Sequence, residues 1–502
     1  MGQSWKNGND YSLDQHAADL LTELVDTSSL NKMDATAQAE LVRQRKASPL
    51  DLVDAAINRI EAVNPQLNAV VWERFAKARE EARSAQLPTG PFSGVPFLTK
   101  DLGCTTAGEP DSGGSRFLKE NNYIASVTTE LARRIKAAGF INLGRTNSPE
   151  FGSVPTTEPL AWGPTRNPWD VTKTPAGSSG GSCAAVAALM VPVAHGSDGG
   201  GSIRLPAAAC GLVGLKPTRG RINMWPSTEW LTPVSVQGFQ TRTVRDLAAC
   251  MDFASGALPG DPMPPPVPAR PYVSEVGAEP GRLRIGLWNE LPAPFDGELH
   301  PECRQAVEEA GKLLESLGHH VELAHPPVLD EPKTPGIFNR IWPVRLLAAL
   351  QSFERKLGKR AGPDNLDPDT LHWLERARGV SATDYLIALE DLDAFTRAFA
   401  GWWASGYDVL VNPVTGTVTP KLGALGMDAA RLKFSSLWWP FTPYFNMAGQ
   451  PAISLPLHWA SDGMPVGVQL GAAWAREDVL IRLAAQLEQA KPWSARIPPV
   501  HA

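Results

Sequence analysis

Three short segments carry residue types that perform acyl-transfer chemistry. Ser178 sits in Pro175-Ala176-Gly177-Ser178-Ser179-Gly180-Gly181-Ser182, and Ser202 in Gly196-Ser197-Asp198-Gly199-Gly200-Gly201-Ser202-Ile203-Arg204. Upstream, Lys100 closes the apolar run Gly94-Val95-Pro96-Phe97-Leu98-Thr99-Lys100-Asp101. A serine hydroxyl is a weak nucleophile until a base takes its proton. No histidine stands beside Ser202 within its Gly-rich segment, so another base is needed. A lysine held neutral by apolar burial can serve, and Phe97 and Leu98 fit such a setting. In this reading Ser202 is the nucleophile and Ser178 relays its proton to Lys100. The backbone N–H groups of Gly199, Gly200, Gly201 and Ser202 are the candidate oxyanion hole. Asp198 and Arg204 flank that loop, and an ion pair between them would brace it. Taken singly, each segment has a plainer reading: Gly-Ser stretches are usually flexible loops, and a lysine after an apolar run is usually a strand end. The joint order of all three favours a Ser-Ser-Lys triad. A phosphate loop is rejected because no Gly-Lys-Ser/Thr follows the first serine segment.

The elements needed to hold these segments are legible in outline. Apolar positions recur at helical spacing from Asp34 to Val63, broken at Ser48-Pro49, where Ser48 caps a second helix with Pro49 at its first position. A helix over Thr129–Ala138 ends at Gly139 and leads into a strand at Phe140–Gly144. A small-residue helix over Gly180–Leu189 is followed by a buried strand at Val191–Ala194. Further strands are expected at Leu283–Trp288, Val321–Leu323 and Asp408–Val411, and helices at Pro301–Leu317 and Glu477–Ala490. Phe338–Trp403 is mostly helical and rich in large apolar residues. The alternation predicts an α/β layered sheet. The proline-rich stretch Leu258–Tyr272 reads as a surface linker.

Whole-chain properties exclude several classes. The chain has 502 residues and a net charge of −6, which gives no electrostatic footprint for nucleic acid. Its longest apolar run, Cys183–Ala194, is too short to span a bilayer. The N-terminus lacks the apolar core of a secretory signal. Five scattered cysteines read as free thiols of a reducing compartment, and the histidines show no metal-ligand spacing. These features predict a cytoplasmic protein without a metal. Of the sixteen tryptophans, Trp225, Trp230, Trp342, Trp438 and Trp439 lie where they would roof a pocket, although core packing is the commoner use of tryptophan.

The serine segments, the Gly-Val-Pro-x-x-x-Lys-Asp segment, the run Cys210–Gly220 and the closing Phe445–Ala452 together resemble the amidase signature family, from about Met33 to Trp493. The opening Asp34–Val42 and Thr156-Thr157-Glu158-Pro159 resemble most the branch of nylon-oligomer hydrolases. The resemblance implies that Lys100, Ser178 and Ser202 are the catalytic lysine, bridging serine and nucleophile, with a cis peptide bond between Gly177 and Ser178. It implies a single catalytic domain over 33–502 after an N-terminal extension at 1–32. That domain is a mixed β-sheet core flanked by helices on both faces, with a helical insertion near 330–405. Phe338, Ile341 and Trp342 of the insertion are expected to bind substrate. The family usually carries a Thr- or Ile-like residue where this chain has Gly199, so a looser loop is expected there. The implied activity is hydrolysis of bulky or apolar non-peptide amides through an acyl-enzyme, without a cofactor. Esterase or carbamate hydrolysis by the same triad is one alternative, and a subunit of a tRNA-dependent amidotransferase is another. The partner is a small-molecule amide, with no nucleic acid or membrane, and a homodimer is compatible with this reading.

Overall fold

The computed structural model describes residues 30–227, 233–293 and 295–502. Trp230 and all but the last residues of the expected N-terminal extension lie outside them. Within the described residues, eleven strands join in one sheet. They are β1 (Val70–Glu73), β2 (Pro96–Lys100), β3 (Ile141–Thr146), β4 (Val193–Asp198), β5 (Val213–Lys216), β6 (Val236–Thr241), β7 (Arg284–Leu287), β8 (His320–Leu323), β9 (Val409–Pro413), β10 (Ala452–Trp459) and β11 (Pro465–Ala472). Their order is β1-β3-β2-β4-β6-β5-β10-β11-β9-β7-β8. β2 runs parallel to β3 and β4, and β7 parallel to β8 and β9, while the pairs between these blocks are antiparallel. The sheet is therefore mixed and the fold α/β, as expected.

Alternation along the strands explains why helices cover both faces. In β2, Phe97 enters one apolar cluster and Leu98 another, and in β4 Val193 and Ala194 divide the same way. A period of two sends neighbours to opposite faces. One cluster takes side chains from the helices Val244–Ala254, Pro301–Ser316 and Glu477–Ala490. The other takes them from Pro49–Leu67 and Gly180–Ala187. Helix Pro49–Leu67 starts as the sequence suggests: Ser48 and Asp51 form a reciprocal capping box with Pro49 at the first turn, which satisfies backbone donors that the helix start would leave open.

Two features of this frame position the site. β2 and β4 are parallel and adjacent, with Leu98 opposite Ala194, so Lys100 and Asp198 end at the same edge of the sheet. That edge, at the carboxyl ends of neighbouring parallel strands, is where open α/β sheets bind ligands. Above it, helices Thr334–Leu357, Pro368–Arg378 and Ala382–Ala404 fill the stretch between β8 and β9.

Candidate active site

Lys100 is the last residue of β2 and has no solvent exposure. Its Nζ lies 2.6 Å from Ser178 Oγ, 3.0 Å from Ser179 Oγ and 3.0 Å from Ser197 Oγ. Burial is the largest influence on this amine and brings its pKa down from 10.5 to about 7; Asp198 opposes the shift and Arg345 adds to it. A neutral lysine amine has two N–H donors and one lone pair. Among three surrounding hydroxyls, two can accept from it and the third must donate. The nearest hydroxyl, that of Ser178, is placed to do so.

Ser178 is held by close backbone packing. The Gly177–Ser178 peptide bond is cis, and Ala176 takes a left-handed conformation at φ 63°. Such a conformation persists in a non-glycine residue only when its surroundings enforce it. Here Ala176 N donates to Thr174 Oγ1 and its carbonyl accepts from Thr157 Oγ1, at 3.1 and 2.8 Å. A Cβ on Gly177 would lie 2.4 Å from the Thr156 carbonyl oxygen, so only glycine fits.

Ser202 follows β4 through the glycine turn. It lines a cavity of about 260 Å³ together with Ser178, Gly199, Trp342 and Arg345. Among the described residues nothing hydrogen-bonds the Ser202 hydroxyl, while its carbonyl accepts from Ser179 N at 3.2 Å. Catalytic hydrogen bonds are often long in unliganded enzymes and tighten on substrate binding. His195, which precedes this segment, has both ring nitrogens engaged: Nδ1 accepts from Lys100 N and Nε2 meets Gln237 Oε1 at 2.7 Å. Burial lowers its pKa to about 3. It is a neutral brace for β2.

The expected Asp198–Arg204 pair is present and fully buried. Arg204 Nε and Nη2 each reach an Asp198 oxygen at 3.0 Å. Asn446 Nδ2 adds a third side-chain donor at 2.9 Å. Burial pushes the Asp198 carboxyl upward, but Arg204, Asn446 and the Lys216 charge outweigh it and hold the pKa below its ordinary value. The same carboxylate accepts from Gly201 N at 2.7 Å and Ile203 N at 3.1 Å. Of the four expected oxyanion donors, Gly201 N–H is thus already engaged, which leaves those of Gly199, Gly200 and Ser202. Gly201 has φ +133°, and a Cβ there would lie 2.3 Å from Thr442 Oγ1.

The roof residues separate on inspection of their helix. Trp342 lines the cavity. Phe338, one turn earlier, stacks on it with ring centroids 5.6 Å apart and packs over Gly200. Ile341 is fully buried in the main apolar cluster and is not among the residues lining the cavity. Phe338 is not among the lining residues either; it reaches the site through its packing on Trp342 and over Gly200. Trp439 packs edge-on to Phe338, Trp438 is buried, and Trp225 lies half-exposed under Arg133. The space left by the missing side chain of Gly199 is filled: a Cβ there would lie 2.5 Å from Trp342 Cζ3. Sequence reasoning missed Ser179 and Ser197 as partners of Lys100, and Arg345 as a wall residue. The first two stood inside the segments already singled out.

The amidase profile matches residues 51–481. The chain is 41% identical to 6-aminohexanoate-cyclic-dimer hydrolase of Paenarthrobacter ureafaciens over 93% of this chain and 96% of that protein. A solved structure of 6-aminohexanoate cyclic dimer hydrolase superposes with a TM-score of 0.89, covering 94% of this chain and 99% of that one at 41% identity. A bacterial aryl acylamidase of the amidase signature enzymes gives a TM-score of 0.82 at 28% identity, covering 92% and 97%. A matching profile over most of the length and relatives that share both sequence and fold identify the chain as a member of the amidase signature family of amide-bond hydrolases.

Proposed function

We propose that the chain hydrolyses non-peptide amides, such as oligoamides or aryl amides, with Ser202 as nucleophile, Ser178 as proton relay and Lys100 as base. The observation that carries this is a buried lysine amine, neutral above about pH 7, 2.6 Å from the Ser178 hydroxyl in the cavity that Ser202 also lines. Ser202 Oγ attacks the amide carbon as its proton passes to Ser178, and the proton of Ser178 passes to Lys100. The carbonyl oxygen takes up negative charge opposite the N–H groups of Gly199, Gly200 and Ser202. The C–N bond then breaks, the relay returns the proton to the leaving amine, and an ester to Ser202 remains. Water, deprotonated through the same relay, attacks this ester and releases the carboxylic acid.

The relatives that act on a cyclic amide dimer and on aryl amides support this substrate class. Unpaired burial of all five cysteines supports a reducing compartment, the cytoplasm. Among the described residues no helix is long and apolar enough to cross a membrane. The test is the purified chain alone against matched amides, anilides, esters and carbamates. Release of amine from amides, abolished in Ser202→Ala, is expected. Turnover confined to esters or carbamates would replace this reading with the hydrolase alternative, and dependence on added subunits would replace it with the amidotransferase one.

A further inference from the structure

The long helix Thr334–Leu357 presents Trp342, Arg345, Phe353 and Lys356 to the cavity that holds Ser202. These positions recur at helical spacing, so one face of the helix forms a wall. Its first part is apolar and covers Gly199 and Gly200 through Trp342 and Phe338. Its later part is cationic. Arg345 stands one turn beyond Trp342, with its guanidinium carbon 4.9 Å from the centre of the Trp342 ring.

Arg345 is unlike the other arginines around the site. Arg204 is taken by Asp198, and Arg145 faces Asp111 at 3.7 Å. Among the described residues no carboxylate, hydroxyl or carbonyl accepts a hydrogen bond from Arg345, and its Nε is buried without a partner. Trp342 Nε1 is likewise buried without an acceptor. Of the two carboxylates that line the cavity, Asp198 is hydrogen-bonded to Arg204, and Asp111 faces Arg145 at 3.7 Å with its Oδ1 accepting no hydrogen bond and feels the Lys356 charge as well. Lys356 stands exposed on the same wall with its Nζ over the Phe353 ring. Arg345 and Lys356 therefore make this wall of the cavity positive, and neither of the cavity's carboxylates is hydrogen-bonded to Arg345.

Arg345 is half-buried, and the part of its guanidinium cut off from water, Nε, has no acceptor, which is costly. Burial lowers the Arg345 pKa to about 10, so it remains charged at any working pH. Its planar fork matches a carboxylate better than any other side chain does. Neutral amides offer it nothing of equal strength.

We propose that Arg345 is the anchor for a carboxylate on the substrate, so that the chain acts on amides bearing a free carboxylate, such as a linear oligoamide with an acid end, with Lys356 attracting the same charge at the cavity mouth. This rests on the triad reading for its chemistry and adds the charge of the substrate. It also separates the two ends of one wall: Trp342 packs against the apolar part near the scissile bond and Arg345 binds the acid beyond it.

The experiment compares N-benzoyl aminoalkanoates with their terminal carboxamides, across methylene chains of increasing length, and a second series with the acid on the acyl side. For wild type, kcat/KM for the acid is expected to exceed that for its carboxamide by roughly 10- to 100-fold in at least one series, and to fall with added salt. In Arg345→Gln that ratio collapses toward one through KM, and Arg345→Lys restores part of it. Equal rates for acid and carboxamide in both series, or a ratio unchanged in Arg345→Gln, would overturn the proposal. Calorimetric binding of the same ligands to Ser202→Ala reads the charge preference without turnover. Tighter binding of the acids there supports the anchor even if the amide chemistry fails, whereas amide turnover with no charge preference in rate or binding rejects the anchor and leaves the triad standing.

Discussion

The floor of the cavity and its helical wall treat their polar groups differently. On the floor, Lys100 Nζ meets three hydroxyls, and the Asp198 carboxylate accepts from two backbone amides, two guanidinium nitrogens and one carboxamide. On the wall, Trp342 Nε1 and Arg345 Nε are buried with no acceptor. Satisfied networks in a low-dielectric setting fix one geometry, which is what a proton relay requires. Unsatisfied donors leave free energy to be recovered when a ligand arrives. On the proposed reading the floor serves every substrate alike, and the wall distinguishes between them. Variants on the two sides should therefore fail in different ways.

The largest effects belong to the floor. Ser202→Ala removes the proposed nucleophile, and kcat should fall by about 10³-fold or more, with the melting temperature little changed because the side chain is small and lines a cavity. Ser178→Ala should lose a comparable factor, since the relay acts as a unit. Steady-state kinetics beside thermal unfolding checks both, and a normal rate in either variant removes that residue from the triad.

Next in size is the pH dependence of Lys100. The proposed relay needs the unprotonated amine, so kcat/KM should be level above about pH 7 and drop about tenfold per unit below it. The unfolded lysine keeps its proton up to 10.5, whereas the folded one releases it near 7. Between these values the unfolded state binds more protons, so this group's contribution to stability declines as the pH is lowered across that window. Lys100→Arg should be inactive at every pH because arginine stays charged. A rate that rises toward acid would exclude a lysine base.

The same division explains what could be read from the sequence. The proposed triad is visible because two of its residues sit in small-residue segments close in the chain and the third ends an apolar run. Glycines there are dictated by close backbone approach, as at Gly177 and Gly201, so the chemistry leaves a trace in composition. Strands β2, β3, β4, β7, β8 and β9 show as apolar runs next to helices. β6 is hidden because its sequence Val236–Thr241 places Gln237 and Gln240 in fully buried positions, which breaks the apolar alternation. β10 contains a proline and is buried along nearly its whole length, so its run carries no period. The engagement of Gly201 N–H by Asp198 depends on how the turn closes, and no residue type announces it. Arg345 gave no signal either: a lone arginine in a helical stretch reads as solvated, and only the fold brings the residues facing it from distant parts of the chain. Of Phe338, Ile341 and Trp342, only Trp342 lines the cavity, because composition marks a helical run without saying which of its side chains face the site.

A smaller effect tests the contact where floor and wall meet. Gly199 has no side chain, and a Cβ built there would lie 2.5 Å from Trp342 Cζ3 and 2.9 Å from its Cη2. The indole is itself stacked on Phe338 and cannot retreat freely. Gly199→Ala should therefore cost about 1–3 kcal/mol through overpacking, seen as lower kcat/KM together with a lower melting temperature. In a Trp342→Ala background the same substitution should cost much less. A coupling of at least about 0.5 kcal/mol in the double-mutant cycle is expected, and strict additivity would show that the loop, not the indole, sets the space at this position.

The effect that most sharpens the comparison, confined to bulky substrates, is that of Trp342→Ala alone. It removes an apolar surface from the wall without touching the hydroxyls around Lys100, so the chemical step should be preserved for small substrates. Loss of a large aromatic contact is worth about 1.5–3 kcal/mol. That loss should appear as a rise in KM for amides with bulky apolar groups, relative to small ones, in a matched series. Because Trp342 also lies under Arg345, the variant should weaken the preference for acid-bearing amides less than Arg345→Gln does, through looser placement and not through loss of charge. If bulky and small amides fall together in kcat, Trp342 acts on the oxyanion loop through Gly199 and belongs with the floor. If neither falls, the indole is packing and selectivity resides further along the wall.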